Sequence, residues 1–123
     1  MFDKILQINL LLDFYGQLLT DKQQNILQLY YNDDLSLMEI AEQLGISRQA
    51  VYDTMKRTEK ILYDYEEKLG LLTKFVYSQD RIQEIVKISC NIEFGLTNNI
   101  FSNDEILSEV NKIIKISKDI LEK

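Results

Sequence analysis

The sequence has no histidine, no proline and no tryptophan, and it holds one cysteine and four glycines in 123 residues. Without histidine, the side chain most used for proton transfer and zinc ligation is missing, which excludes Ser-His-Asp triads, HExxH sites and His-carboxylate metal centres. Cys90 alone cannot close an intramolecular disulfide or build a thiolate zinc site, and such sparing use of cysteine suits a reducing compartment. No GxxxxGK[ST] phosphate loop occurs, so the chain itself is not expected to hydrolyse GTP. The first twenty residues carry Asp3 and Asp13 and have neither a basic leader nor a small-residue cleavage site. No window approaches about 18 uninterrupted apolar residues. The expectation is a cytoplasmic protein without membrane insertion, catalytic residues, cofactor or metal.

What is present points to helices. Hydrophobic residues make up 46% and charged residues 28%, a globular composition, while the scarcity of glycine and proline leaves few breakers for hairpins. The length suits one core with a helical extension. The net charge of −6 weighs against indiscriminate binding of polyanions. Residues 1–70 hold 7 basic and 12 acidic side chains and residues 71–123 hold 7 and 8, so neither part is a basic arm and any nucleic-acid site must be a local patch.

From Phe2 to Tyr15, apolar side chains go almost all the way round a helix, as when a helix is buried by several neighbours or by a second copy. Thr20 with Gln23 and Ser36 with Glu39 fit capping boxes that open a second and a third helix. The third carries Leu37, Ile40, Ala41 and Leu44 inward and ends at Gly45. Ser47 caps a fourth helix, in which Val51, Met55, Thr58, Leu62, Tyr65 and Leu69 form one seam up to Gly70. The pattern then loosens through Tyr77. Ser78 and Asp80 are expected to start a fifth helix with Ile82, Ile85, Val86 and Ile92 on one side, and 93–103 reads as a loop. Ser102 with Glu105 opens a last helix whose Leu107, Val110, Ile114, Ser117 and Leu121 step by threes and fours, widened by Ile106, Ile113 and Ile120, with Lys112, Lys115 and Lys118 facing away. This seam fits either intrachain packing or a helix-to-helix dimer. With the first helix it predicts a homodimer.

The informative stretch is LMEIAEQLGISRQAVYDTMKRTEKIL, Leu37 to Leu62. A short helix, a small contact residue (Ala41), a turn glycine (Gly45), an apolar turn residue (Ile46) and an N-cap (Ser47) fall in register for a helix-turn-helix. In that motif the start of the second helix reaches base edges and flanking groups hold phosphates. The candidate nucleic-acid-binding residues are Ser47, Arg48, Gln49, Tyr52, Asp53, Lys56, Arg57 and Lys60. Arg48 suits guanine, Gln49 adenine and Asp53 the cytosine amine, with Lys56 and Arg57 on phosphates. Residues 47–60 hold four basic and two acidic side chains, which permits double-stranded DNA binding only weakly. A recognition face turned to binding protein stays open beside it. Glu66-Glu67 reads as a solvated face, and Cys90 as a small buried residue.

Ser47-Arg48-Gln49-Ala50-Val51 resembles the opening of the recognition helix in sigma-factor region 4. Over Asn9 to Phe75, including YEEKLGLL at Tyr65 to Leu72, the chain looks like the YlxM family of small bacterial helix-turn-helix proteins. The helical pattern and this resemblance together give the expected fold, all-α: a sigma region 4-like helix-turn-helix domain over residues 1–70 and, from the pattern alone, an α-helical C-terminal extension over 71–123. The resemblance also implies an accessory or regulatory role in the signal recognition particle pathway, inferred mainly from gene neighbourhood beside the particle's GTPase subunit. The partners it suggests are that subunit or its RNA, and the alternative is a sequence-specific DNA-binding regulator.

Overall fold

The structure, a computed structural model, describes residues 3–123, and every regular element among them is helical. The order is α1 (Lys4–Tyr15), a 3-10 turn (Gly16–Leu18), α2 (Asp21–Tyr31), α3 (Leu37–Leu44), α4 (Arg48–Leu69), α5 (Leu71–Thr97) and α6 (Asn103–Glu122). Phe2, included in the apolar pattern of the first helix, lies outside the described residues. The chain forms two compact units, one ending at Leu72 and the other spanning Thr73–Lys123.

In the first unit the helix starts are set by neighbouring side chains. Asp3 accepts the backbone N–H of Leu6, and Thr20–Gln23 and Ser36–Glu39 close reciprocal capping boxes. The Ser36 backbone N–H, and then its hydroxyl, hold the Glu39 carboxyl below its usual range. Gly45 ends α3 at φ 69°, a left-handed conformation that strains any residue with a Cβ, and Ser47 accepts the N–H of Ala50 to start α4. The α1 helix packs on α2 and α4, and α4 also packs on α2 and α3. Ile8, Leu11, Ile26, Leu27, Ile40, Val51 and Leu62 are fully enclosed in the resulting core. Other helices of the same unit therefore cover most of α1, leaving Ile5 and Leu6 open at its start.

The apolar seam of α4 runs inward through Val51, Met55, Thr58 and Leu62, but it fades at half-buried Tyr65 and fails at Leu69, which is 55% exposed. Two further expectations are corrected here. Glu66 is not part of a solvated face: one of its carboxylate oxygens accepts the Tyr15 hydroxyl at 2.7 Å and the Leu72 N–H at 2.9 Å. And α5 begins directly after Gly70, which is left-handed at φ 63°, instead of near Ser78. The Tyr15 hydroxyl oxygen accepts the N–H of Leu71, so two side chains from outside α5 satisfy its first donors and no local N-cap is needed.

In the second unit α5 continues to Thr97, through most of the stretch read as a loop. Gly95 faces the ring of Phe101, where a Cβ would collide with it, so the glycine makes room for the returning chain rather than ending the helix. Ser102 and Glu105 close the expected capping box of α6. The inward positions are Ile85, Ile88 and Ile92 on α5 and Ile106, Ile113, Ile116 and Ile120 on α6, whereas Ile82 and Val86 are about half exposed. Cys90 is exposed, not buried, because it sits about 200° round the helix from Ile88.

Candidate functional site

Ala41 is buried where α3 meets α4, and its carbonyl accepts the N–H groups of both Gly45 and Ile46, which makes the turn tight. This geometry presents the first turns of α4 outward. Arg48, Gln49, Tyr52, Asp53, Lys56, Arg57 and Lys60 are all exposed, and at 100° per residue they span an arc of about 180° that starts beside the Val51–Met55–Leu62 face at Arg48 and runs round the open side of α4. Ser47 precedes them as the helix cap. Seven of the eight candidates therefore lie along the open side of α4, and Ser47 stands at its cap. A shallow cavity of about 440 Å³ opens beside it, lined by Leu37, Arg48, Gln49 and Tyr52.

The polar groups on this edge are largely engaged by their own helix. The Gln49 side-chain amide donates to Asp53 at 2.9 Å, and Lys60 pairs with Asp64 at 3.1 Å. Lys56 lies 5.5 Å over the Tyr52 ring and 3.9 Å from Glu59. The α3 helix adds exposed Glu39 and Glu42, along with Met38, which is 52% exposed. The outer surface of the motif thus mixes apolar and acidic groups with a few cations.

Glu59, counted in the sequence only as a local negative charge, is 5% exposed. It accepts the Tyr31 hydroxyl at 3.0 Å and pairs with Lys4 at 3.0 Å, a cluster joining α1, α2 and α4. The bond to Glu59 holds Lys4 above the usual lysine range against the opposing effect of burial. Burial first, and then the same carboxylate, push the Tyr31 phenol from 10.0 up to about 12. A folded-state value above the unfolded one gives stability that is complete below pH 10 and is lost as pH rises through about 12. Urea midpoints are therefore expected to fall between pH 9.5 and 12, by less in Tyr31→Phe than in the natural chain. Equal losses in both would remove Tyr31 from the alkaline transition.

Nothing in Leu37–Leu62 could have announced Lys4 or Tyr31, because their link to Glu59 spans 55 and 28 positions. The profile of one protein family, UPF0122, described as "Putative helix-turn-helix protein, YlxM / p13 like", matches residues 2–98. The chain belongs to this family. The UPF0122 protein of Listeria innocua is 43% identical over 116 residues, covering 94% of this chain and 99% of that one. Those of Desulforamulus reducens and Halalkalibacterium halodurans are 53% and 55% identical over 89 and 85 residues, covering 72% and 69% of this chain and 76% and 78% of theirs. The UPF0122 match takes in the first unit from residue 2 onward, with α4 and its outward edge, and all of α5. No helix among the described residues is long and apolar enough to cross a membrane.

Proposed function

We propose that this UPF0122 protein works by binding, as an accessory of the signal recognition particle, and that the outer face of α3 and α4 engages the particle's GTPase subunit. The observation that carries this reading is the engagement of the recognition helix's polar groups within the helix itself: Lys56 lies beside Glu59, Lys60 is bridged to Asp64, and the Gln49 amide is tied to Asp53. Proteins that hold DNA through its charge commonly make about 6–10 phosphate contacts, far more than Arg48 and Arg57 offer. A face of Met38, Tyr52, Glu39 and Glu42 on a chain of net charge −6 is suited to a basic protein surface. The pathway itself comes from what the YlxM resemblance implies.

The test is the GTPase rate of that subunit, and its affinity for the particle's RNA, with and without saturating protein. A several-fold change in either is expected, reduced by Met38→Lys/Tyr52→Ala. Identical values with and without the protein would remove the proposal. The second reading, a DNA-binding regulator, is favoured by one feature: Arg48 and Tyr52 sit exposed at the head of a helix placed as a recognition helix is. It requires a discrete duplex target with a steep salt dependence that is lost in Arg48→Ala/Lys56→Ala.

A further inference from the structure

A second cavity, of about 320 Å³, opens between the start of α1, the end of α2 and the start of α3, lined by Ile5, Tyr30, Tyr31, Asp34, Leu35 and Glu39. The turn that joins α2 to α3 doubles back by giving the Asp33 N–H to the Gln28 carbonyl and the Leu35 N–H to the Leu29 carbonyl, with Asp34 left-handed at φ 63° between them. That turn brings Asp34 and Leu35 to a cavity that the last two residues of α2, Tyr30 and Tyr31, also line. The two rings meet edge to face with centroids 4.9 Å apart. Ser36, at the same wall, caps α3 and engages one oxygen of the Glu39 carboxylate, leaving the other open.

The charge on this lining is of one sign. Asp34 and Glu39 are exposed carboxylates, and among the described residues the Asp34 side chain makes no hydrogen bond or ion pair. No lysine or arginine among the described residues lines the cavity, and Lys4, next to Ile5 in the chain, is held by Glu59 at 3.0 Å. Two carboxylates by themselves select no particular cation. The walls do: Tyr30, Tyr31 and Leu35 are half-buried, and with Ile5 they form an aromatic and apolar surface that suits a flat, weakly hydrated cation over a compact, strongly hydrated one.

We infer that this cavity is a socket for an arginine side chain of a partner protein, whose guanidinium lies against the Tyr30 ring and pairs with Asp34 and Glu39. A guanidinium is planar and always charged, so it covers a ring with its face while its fork of N–H donors reaches carboxylates at the edge. A lysine ammonium is a single hydrated point and does one or the other. The volume of about 320 Å³ is at the small end for ligand sites, which suits one long side chain rather than a cofactor. Such a socket, resting on the proposed binding of a basic protein surface, gives that surface one anchoring arginine, a residue type enriched at the energetic centres of interfaces.

The test is a titration of the full, isotope-labelled chain with N-acetyl-arginine amide into the millimolar range, followed through the backbone amide signals. Saturable shifts are expected at Ile5, Tyr30, Tyr31 and residues 34–39. N-acetyl-citrulline amide, of the same shape without the charge, is expected to give none, and N-acetyl-lysine amide to bind several-fold more weakly. Asp34→Asn/Glu39→Gln is expected to lose the binding and keep the fold, because asparagine tolerates the left-handed turn and glutamine still closes the capping box. Asp80→Asn/Glu93→Gln removes the same charge from exposed positions of the second unit and is expected to bind as the natural chain does. Tyr30→Leu is expected to weaken binding about two- to fivefold. No saturable shift, equal binding of the citrulline or lysine compound, or binding that survives Asp34→Asn/Glu39→Gln would overturn the inference. If that double variant unfolds, the citrulline comparison on the natural chain decides. No component of the particle enters the titration, so its failure removes the socket and not the effect on the GTPase subunit, whereas unchanged GTPase rates remove that partner and not the socket.

Discussion

Replacing Tyr15 by alanine is expected to lower the stability of the helix-turn-helix unit by about 3–5 kcal/mol, the range for deleting a buried aromatic ring. The ring is 1% exposed and stacks on Tyr65 with centroids 5.8 Å apart. Its hydroxyl donates to Glu66 and accepts from the N–H of Leu71, so one side chain both fills the core and fastens the start of α5. Tyr15→Phe separates the two roles. It keeps the ring but takes the acceptor from the Leu71 N–H and one of the donors from Glu66, which keeps the N–H of Leu72, at a cost of about 1–2 kcal/mol. Combining Tyr15→Phe with Glu66→Ala is expected to cost at least about 0.5 kcal/mol less than the separate losses added together, because both remove parts of one network. Urea titrations followed by circular dichroism measure all four proteins. Strict additivity would show that the hydroxyl and the carboxylate act independently.

The same contact explains where reading the sequence succeeded and where it failed. Thr20 with Gln23, Ser36 with Glu39, Ser47, Ser102 with Glu105, and Gly45 all mark helix ends through bonds made within a few positions, so local pattern suffices to place them. The start of α5 is held by Tyr15, 56 positions from Leu71, and no local signal records it. With that anchor hidden, the eye falls on Ser78 and Asp80, which lie within the helix. The candidate site divides in the same way. The shared edge of Arg48, Tyr52 and Lys56 follows from helical spacing, whereas the placing of Glu59 among Lys4, Tyr31 and Lys56 depends on three helices meeting. Cys90 is exposed for a related reason: a small apolar residue fits either side of α5, and only the position of α6 selects the side of Ile88.

Leu62 and Leu69 offer the sharpest test of how far the α4 seam reaches, since periodicity places them on one row and the structure separates them. Leu62 is fully enclosed, and Leu69 is 55% exposed. Leu62→Ala removes buried methyl groups and leaves a cavity, so it is expected to cost about 2–5 kcal/mol. A unit of this size has a total stability of only about 4–11 kcal/mol, so the loss takes a large fraction of it and moves the urea midpoint markedly. Leu69→Ala is expected to stay within about 0.5 kcal/mol of the natural chain, as substitutions at open positions do. Leu62→Met nearly conserves volume and is expected to cost less than about 1.5 kcal/mol, which separates a packing loss from general intolerance at that position. The N-terminal turns of α4 carry the candidate binding edge, and the same helix is anchored in the core through Leu62. Leu62→Ala is therefore expected to weaken any partner binding only in proportion to the unfolded fraction, with affinity recovering when the temperature is lowered enough to restore the fold. A binding defect that persists at full helicity would place Leu62 in the interface itself, and equal costs at 62 and 69 would show that the seam is buried along its whole length.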